Sequence, residues 1–252
     1  MGRHGPLPRS EELGAHGRRA PGEEVCYSSS RMTQILAGAT LERPPGPKYV
    51  ASLPYAELTF PSSWPKLATL AKWRKTAPGL ELGVVAPYGV RTGEKGALRF
   101  DEGLEERFAW YLNALGALRG HAVVPTGSEL STSKRDRERL AAYFERLKAD
   151  DPERLIVWAP TGIWSRELAH PFAAEQGVVC AYDPLLDFPP EGPVGYARLK
   201  AMGERQRFSE GVLFDLLDRL EDAGFEKAYV ALESERSFRE ASQLQQLAAA
   251  GE

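Results

Sequence analysis

The chain has 252 residues, 42% hydrophobic and 27% charged, which is enough apolar material for one sizeable core. Its formal net charge of -3 excludes a broad basic field of the kind that grips duplex DNA. Two cysteines, Cys26 and Cys180, exclude a disulfide scaffold, and no apolar run reaches membrane-spanning length.

Residues 1–31 mix Gly, Pro, Arg, Ser and Glu with almost no apolar periodicity. They read as a disordered tail without a signal-peptide pattern, leaving 32–252 as a single domain in a cytoplasmic protein. Met32 is a second candidate translation start. Gln34–Ala39 is the first strand. Pro44, Pro45 and Pro47 then leave no room for a crossover helix before the second strand, Tyr55–Phe60. A helix is expected over Ser63–Thr76, with Ser62 or Ser63 as N-cap and Pro65 in its first turn. Leu67, Leu70, Ala71 and Trp73 form its core stripe. Leu80–Ala86 is the third strand, and Asp101–Leu118 a helix with an acidic start and Arg119 at its end. His121–Val124 is the fourth strand. Ser133–Ala149 is a charged helix whose Leu140, Tyr143, Phe144 and Leu147 form the inner face.

Leu155–Asp183 is the most informative stretch. LIVWA is short and β-branched at its centre, a Gly-containing turn and an amphipathic helix follow, and GVVCAY repeats the strand signature. Two apolar strands joined by a helix imply a right-handed βαβ unit and a parallel sheet. Cys180, mid-strand, reads as a small buried hydrophobe. A Pro-rich loop after Asp183 stands where the next helix belongs. Gly195–Leu199 is strand seven, Ser209–Ala223 a helix ended by Gly224, Lys227–Leu232 strand eight and Arg236–Ala250 the closing helix. The fold class is α/β, a TIM-like (β/α)8 barrel with helices missing after strands one and six. The competing doubly wound sheet requires a glycine-rich first turn leading into a helix, which is absent here.

The stretch Pro54–Pro87 resembles the YecE-like family, domain of unknown function 72. Thr59-Phe60 matches its strand-ending Thr-Phe pair, Trp73-Arg74 its helix-ending Trp-Arg, and Ala86-Pro87 its Ala-Pro. Trp164, Asp183, Tyr196 with Arg198, and Phe208-Ser209-Glu210 match later elements in the same order. The resemblance covers roughly 200 residues through individually weak motifs. It implies a TIM-like barrel whose activity is not established. The departures fall at the family's polar positions: Glu57-Leu58 replaces Asn-Ser, Pro61 a tyrosine, Trp158–Thr161 a Glu-x-Arg-His run, Pro125–Ser128 a Gln-Leu-Pro-Pro, and Glu233-Ser234 paired asparagines. The chain reads as a shortened, divergent relative with its site rewritten.

Barrel sites form at the C-terminal ends of the strands. Those ends supply Thr40, Glu57, Thr59, Tyr88, Ser128, Trp164, Asp183, Arg198, Lys200, Glu233 and Glu235. Asp183, Arg198, Glu57 and Glu233 are the candidate catalytic residues, with paired carboxylates available for acid–base work. Thr59, Trp164, Lys200 and Tyr88 are the candidate binding residues, and Trp164 reads at least as readily as a large apolar cap on the barrel as a ligand-stacking ring. Arg198 is expected to point into the mouth and pair with Asp183 or Glu233, and such a network can equally be structural. Lys200 reads more readily as a paired or solvated lysine than as a Schiff-base one. Arg205 and Arg207, and the alternating charges of Ser131–Arg139, carry only weak phosphate signals. The four histidines, His4, His16, His121 and His170, do not converge with carboxylates, so no metal or other cofactor is expected. The function classes are a barrel acting on a small anionic or sugar-like ligand, a non-catalytic module for a protein partner or ligand, and, least favoured, a nucleic-acid-acting barrel. Deleting residues 1–31, which lack the apolar groups to offset their ordering entropy, should leave the melting temperature nearly unchanged in a thermal denaturation scan.

Overall fold

The computed structural model describes residues 33–61, 63–204 and 206–250. The expectations for the 1–31 tail, Met32, His4, His16, Cys26, Ser62 and Arg205 lie outside these residues.

The chain opens with β1 (Gln34–Leu41), α1 (Pro47–Val50) and β2 (Tyr55–Leu58). No full crossover helix stands between β1 and β2, only the one-turn α1, which the sequence reading did not anticipate. Pro47 occupies the first helical turn, where its missing N–H costs nothing, so the prolines limit the helix to one turn. That turn buries Tyr49, whose hydroxyl accepts from Ala39 N (2.7 Å) and donates to Tyr55 O (2.8 Å), pinning β1 against β2. Helix α2 (Leu67–Arg74) starts later than Ser63, with Lys66 as N-cap. Trp64 precedes Pro65, which disfavours helical geometry. Its ring also stacks on Trp110 at 4.7 Å, while Trp110 Nε1 donates to Pro65 O (3.3 Å), so tertiary contacts hold this segment out of the helix.

Next come β3 (Glu81–Val85), the four-residue α3 (Tyr88–Arg91), a hairpin of β4 (Thr92–Gly93) and β5 (Gly96–Ala97), and α4 (Glu102–Leu118). The α3–hairpin insertion has no counterpart in the periodicity reading. Asp101 caps α4 by accepting from Leu104 N (2.8 Å), and Arg119 ends it in the left-handed region at φ 50°. β6 (His121–Thr126), α5 (Lys134–Asp150), β7 (Ile156–Pro160), α6 (Arg166–Glu175) and β8 (Val179–Cys180) follow. Then β9 (Val194–Lys200), α7 (Glu210–Asp222), β10 (Lys227–Glu233) and α8 (Ser237–Ala250) complete the chain. Ser133 and Ser209, expected as the first residues of their helices, stand just outside α5 and α7 as their N-caps, and no helix intervenes between β8 and β9.

Eight parallel strands run in the order β8-β7-β6-β3-β2-β1-β10-β9. Tyr182 closes the ring on β9, donating its N–H to Tyr196 O (3.1 Å) and accepting from Arg198 N (3.0 Å). The TIM-like barrel is therefore the observed fold, without a helix after β8. Leu82, Val84, Val124 and Trp158 face the helices, and α5 packs through Leu140, Tyr143, Phe144 and Leu147, all fully buried. The inner face carries Leu36, Tyr55, Val123, Val157, Tyr196 and Tyr229. The tyrosines fit because Gly83 has no side chain: a Cβ there would meet the hydroxyls of Tyr55 and Tyr196, the latter at 2.6 Å. Among the described residues no helix is long and apolar enough to cross a membrane.

A carboxylate closes the N-terminal end of the interior. Glu81 accepts from Lys227 Nζ (2.7 Å) and from the Tyr229 hydroxyl, and His121 Nε2 stands 3.4 Å away. Hydrogen bonds from His121, Lys227 and Tyr229 outweigh burial and lower the Glu81 pKa from 4.5 to about 2. A depressed folded-state pKa stabilises the fold above the unfolded value, and that contribution fades as pH falls from 4.5 towards about 2. Glu81→Gln should therefore lower the melting temperature at neutral pH. Melting curves recorded against pH should show the variant and the parent converging through this acid window.

Candidate functional site

Residues two apart on a strand share a face, so Tyr55 and Glu57 on β2, and Tyr196 and Arg198 on β9, climb the inner wall towards the C-terminal rim. Glu57 is fully buried. Its Oε1 accepts from Arg198 Nε (3.1 Å), Arg198 Nη2 (2.8 Å) and Thr40 Oγ1 (3.2 Å), and its Oε2 accepts from the Tyr196 hydroxyl (2.8 Å). The Tyr196 proton is committed to Glu57, so Tyr55 donates to Tyr196 in the short contact between the two hydroxyls. Burial, reinforced by the Glu57 charge, raises the pKa of both phenols well above the usual range, and they remain neutral donors. Burial works against the charge on Arg198, but Glu57 outweighs it and raises the Arg198 pKa.

This pairing corrects the expected partner of Arg198, which is neither Asp183 nor Glu233. The register explains why. Glu233 lies level with Lys200, and the neighbour of Arg198 on β10 is the small Ala231. That gap lets the guanidinium reach past β10 and β1 to Glu57, which sits level with Thr40. Glu233 instead bonds Lys200 Nζ at 2.5 Å as an exposed rim pair. Asp183 accepts from Leu185 N (2.9 Å) and organises the turn after β8; burial first, then nearby Asp187, raises its pKa.

The remaining expected site residues are dispersed. Thr59 serves the β1–β2 junction, giving its N–H (2.7 Å) and its hydroxyl (3.3 Å) to Leu41 O. Tyr88 stands 65% exposed on α3, with Arg91 over its ring. Trp164 is 6% exposed and packs on Trp158 (4.8 Å) and Phe172 (5.5 Å), so it is a core residue rather than an open stacking platform. Ser128 and Glu235 are exposed. Tyr55 joins the site without having been singled out in the sequence; the repeated tyrosine-x-charge pattern of Tyr55/Glu57 and Tyr196/Arg198 was its signal. Most residues carrying the family resemblance are structural. Trp73 Nε1 donates to Pro45 O (2.9 Å), and Arg74 Nη1 donates to Ala77 O (2.9 Å) and Leu80 O (2.5 Å).

The arrangement suits binding better than proton transfer. Glu57 is sealed and saturated, whereas the Arg198 side chain is 27% exposed and its Nη1 has no hydrogen bond to the described residues. Among those residues no group of three His, Cys, Asp or Glu side chains is placed to hold a metal ion.

No family model matches the sequence, and no curated protein matches it. Among solved structures, a DUF72 family protein from Thermotoga maritima superposes with a TM-score of 0.59 at 18% identity, covering 85% of this chain and 98% of that one. A xylose isomerase-like TIM barrel/4-hydroxyphenylpyruvate dioxygenase fusion protein gives a TM-score of 0.54 at 10% identity, over 84% of this chain and 41% of that one. At these identities the likeness shows the shared TIM-barrel fold.

Arg198→Met removes the cation bonded to a fully buried carboxylate and should cost about 3–5 kcal/mol in urea denaturation. The double variant Glu57→Leu/Arg198→Met should recover most of that loss, because neither charge is then left unpaired.

Proposed function

We propose that the mouth of the barrel binds a small anionic or polyhydroxy ligand through Arg198. The observation that carries this reading is the free Nη1 edge of a guanidinium whose other nitrogens are fixed by Glu57. A guanidinium held in place loses little conformational freedom on binding and offers a planar fork to carboxylate or phosphate oxygens. Glu57 is then a positioning residue. Lys200 and Glu233 form the polar rim, and Asp183 shapes the neighbouring loop. We place the protein in the cytoplasm on composition. A protein partner is the second reading, favoured by Leu186, Phe188 and Met202, which are 75%, 77% and 84% exposed on the loops after β8 and β9.

Thermal-shift titration with inorganic phosphate, a small dicarboxylate and a neutral hexose tests the first reading. Arg198→Lys keeps the charge and the Glu57 pair but removes the fork. The binding compound should stabilise the parent protein and bind the variant about tenfold more weakly, a difference of ~1.4 kcal/mol. No shift with any compound, or equal shifts in both proteins, argues for the partner reading instead.

A further inference from the structure

The missing helix after β8 leaves a trough on the outer wall of the barrel, whereas the Arg198 guanidinium faces the interior towards Glu57. Two adjoining cavities occupy it. One, of about 280 Å³, is lined by Trp164, Ser165, Arg166, Tyr182 and Asp187 among others. The other, of about 640 Å³, is lined mainly by Ala174, Val178, Val179, Pro189, Pro190 and Pro193. His170 and Cys180 line both and form the junction between them.

The two ends differ in chemistry. At the polar end, the indole Nε1 of Trp164 and the hydroxyl of Tyr182 are buried without a hydrogen-bond partner. Their residues are only 6% and 5% exposed. Native proteins rarely leave such donors unsatisfied, and an indole N–H can be satisfied only by an acceptor. Arg166 stands at the same end, 3.4 Å from Asp187 and 3.5 Å from Glu167, loosely enough held to exchange one carboxylate for another. At the other end the prolines have no N–H to offer, and apart from Gly177, Gly192 and Glu191 the remaining lining beyond the junction is aliphatic. Burial lowers the His170 pKa and pushes the Cys180 thiol up to about 12, so a chain crossing the junction meets no charge.

We propose that this trough is a second binding site, for a medium-chain aliphatic carboxylate. The head group accepts from Trp164 Nε1, the Tyr182 hydroxyl and Arg166, and the tail lies along the aliphatic cavity past His170 and Cys180. The separation of an acceptor-seeking end from a mainly apolar end selects an amphiphile over a sugar or a free inorganic anion.

The test titrates the full chain with butyrate, hexanoate, decanoate and decanol below their micelle concentrations, following the Trp164 indole N–H by NMR. Decanoate should shift that signal, and each methylene from butyrate upward should tighten binding about fourfold. Arg166→Gln should weaken decanoate about tenfold and leave decanol unchanged. Ala174→Phe, on the exposed face of α6, should block both by filling the groove. Arg198→Lys should affect neither, which separates this site from the mouth. Failure of decanoate to bind, equal binding of decanoate and decanol, insensitivity to Arg166→Gln or Ala174→Phe, or loss in Arg198→Lys overturns the assignment.

Discussion

A carboxylate sealed inside a barrel must be answered in place, because an unpaired buried charge costs several kcal/mol. Glu57 sets this constraint, and the upper interior is arranged around it. Its donors come from β1, through Thr40, and from β9, through Tyr196 and Arg198, so one side chain ties together three strands. Tyr55 extends the network downward, and Gly83 leaves the space its hydroxyl needs. Below the tyrosine rings, Glu81 plays the corresponding part with Lys227, Tyr229 and His121. Each end of the interior is thus polar, and Glu57 and Glu81 are each matched by donors from other strands.

The same constraint separates structure from chemistry at the mouth. Glu57 accepts from three residues and has no exposed surface, so its acceptor positions are taken up by the barrel's own donors. Its partner Arg198 is fixed by Glu57 without being covered. Lys200 and Glu233 are close to each other but 69% and 44% exposed, and a pair this open contributes little to stability.

The outer wall follows a different logic. Where helices are present, apolar faces such as Leu140–Leu147 of α5 and Leu213–Leu220 of α7 complete the layer around the barrel. Between β8 and β9 the chain returns without a helix, and prolines with exposed Leu186 and Phe188 stand in its place. Proline satisfies the loop by removing donors rather than pairing them. The buried polar groups of Trp164 and Tyr182 remain as the exception at that position.

The sequence by itself determined the features governed by neighbours a few residues apart. The eight barrel strands were legible in short apolar runs, the starts of α4, α5 and α7 at Asp101, Ser133 and Ser209, and the absence of a helix after β8 in its prolines, whereas the β4–β5 hairpin was not. Period-two spacing also put Tyr196 and Arg198 on one face of the wall. Tertiary structure decided what depended on distant chain. Arg198 chose Glu57, 141 residues away, over the carboxylates nearer in sequence, because strand register left Ala231 beside it and Glu233 one layer higher. The stacking of Trp64 on Trp110 delayed α2, and the packing of Trp164 on Trp158 decided between its two readings, ligand-stacking ring or apolar packing, in favour of the latter. Strand ends name the residues that reach the rim, but closure and register decide which of them meet.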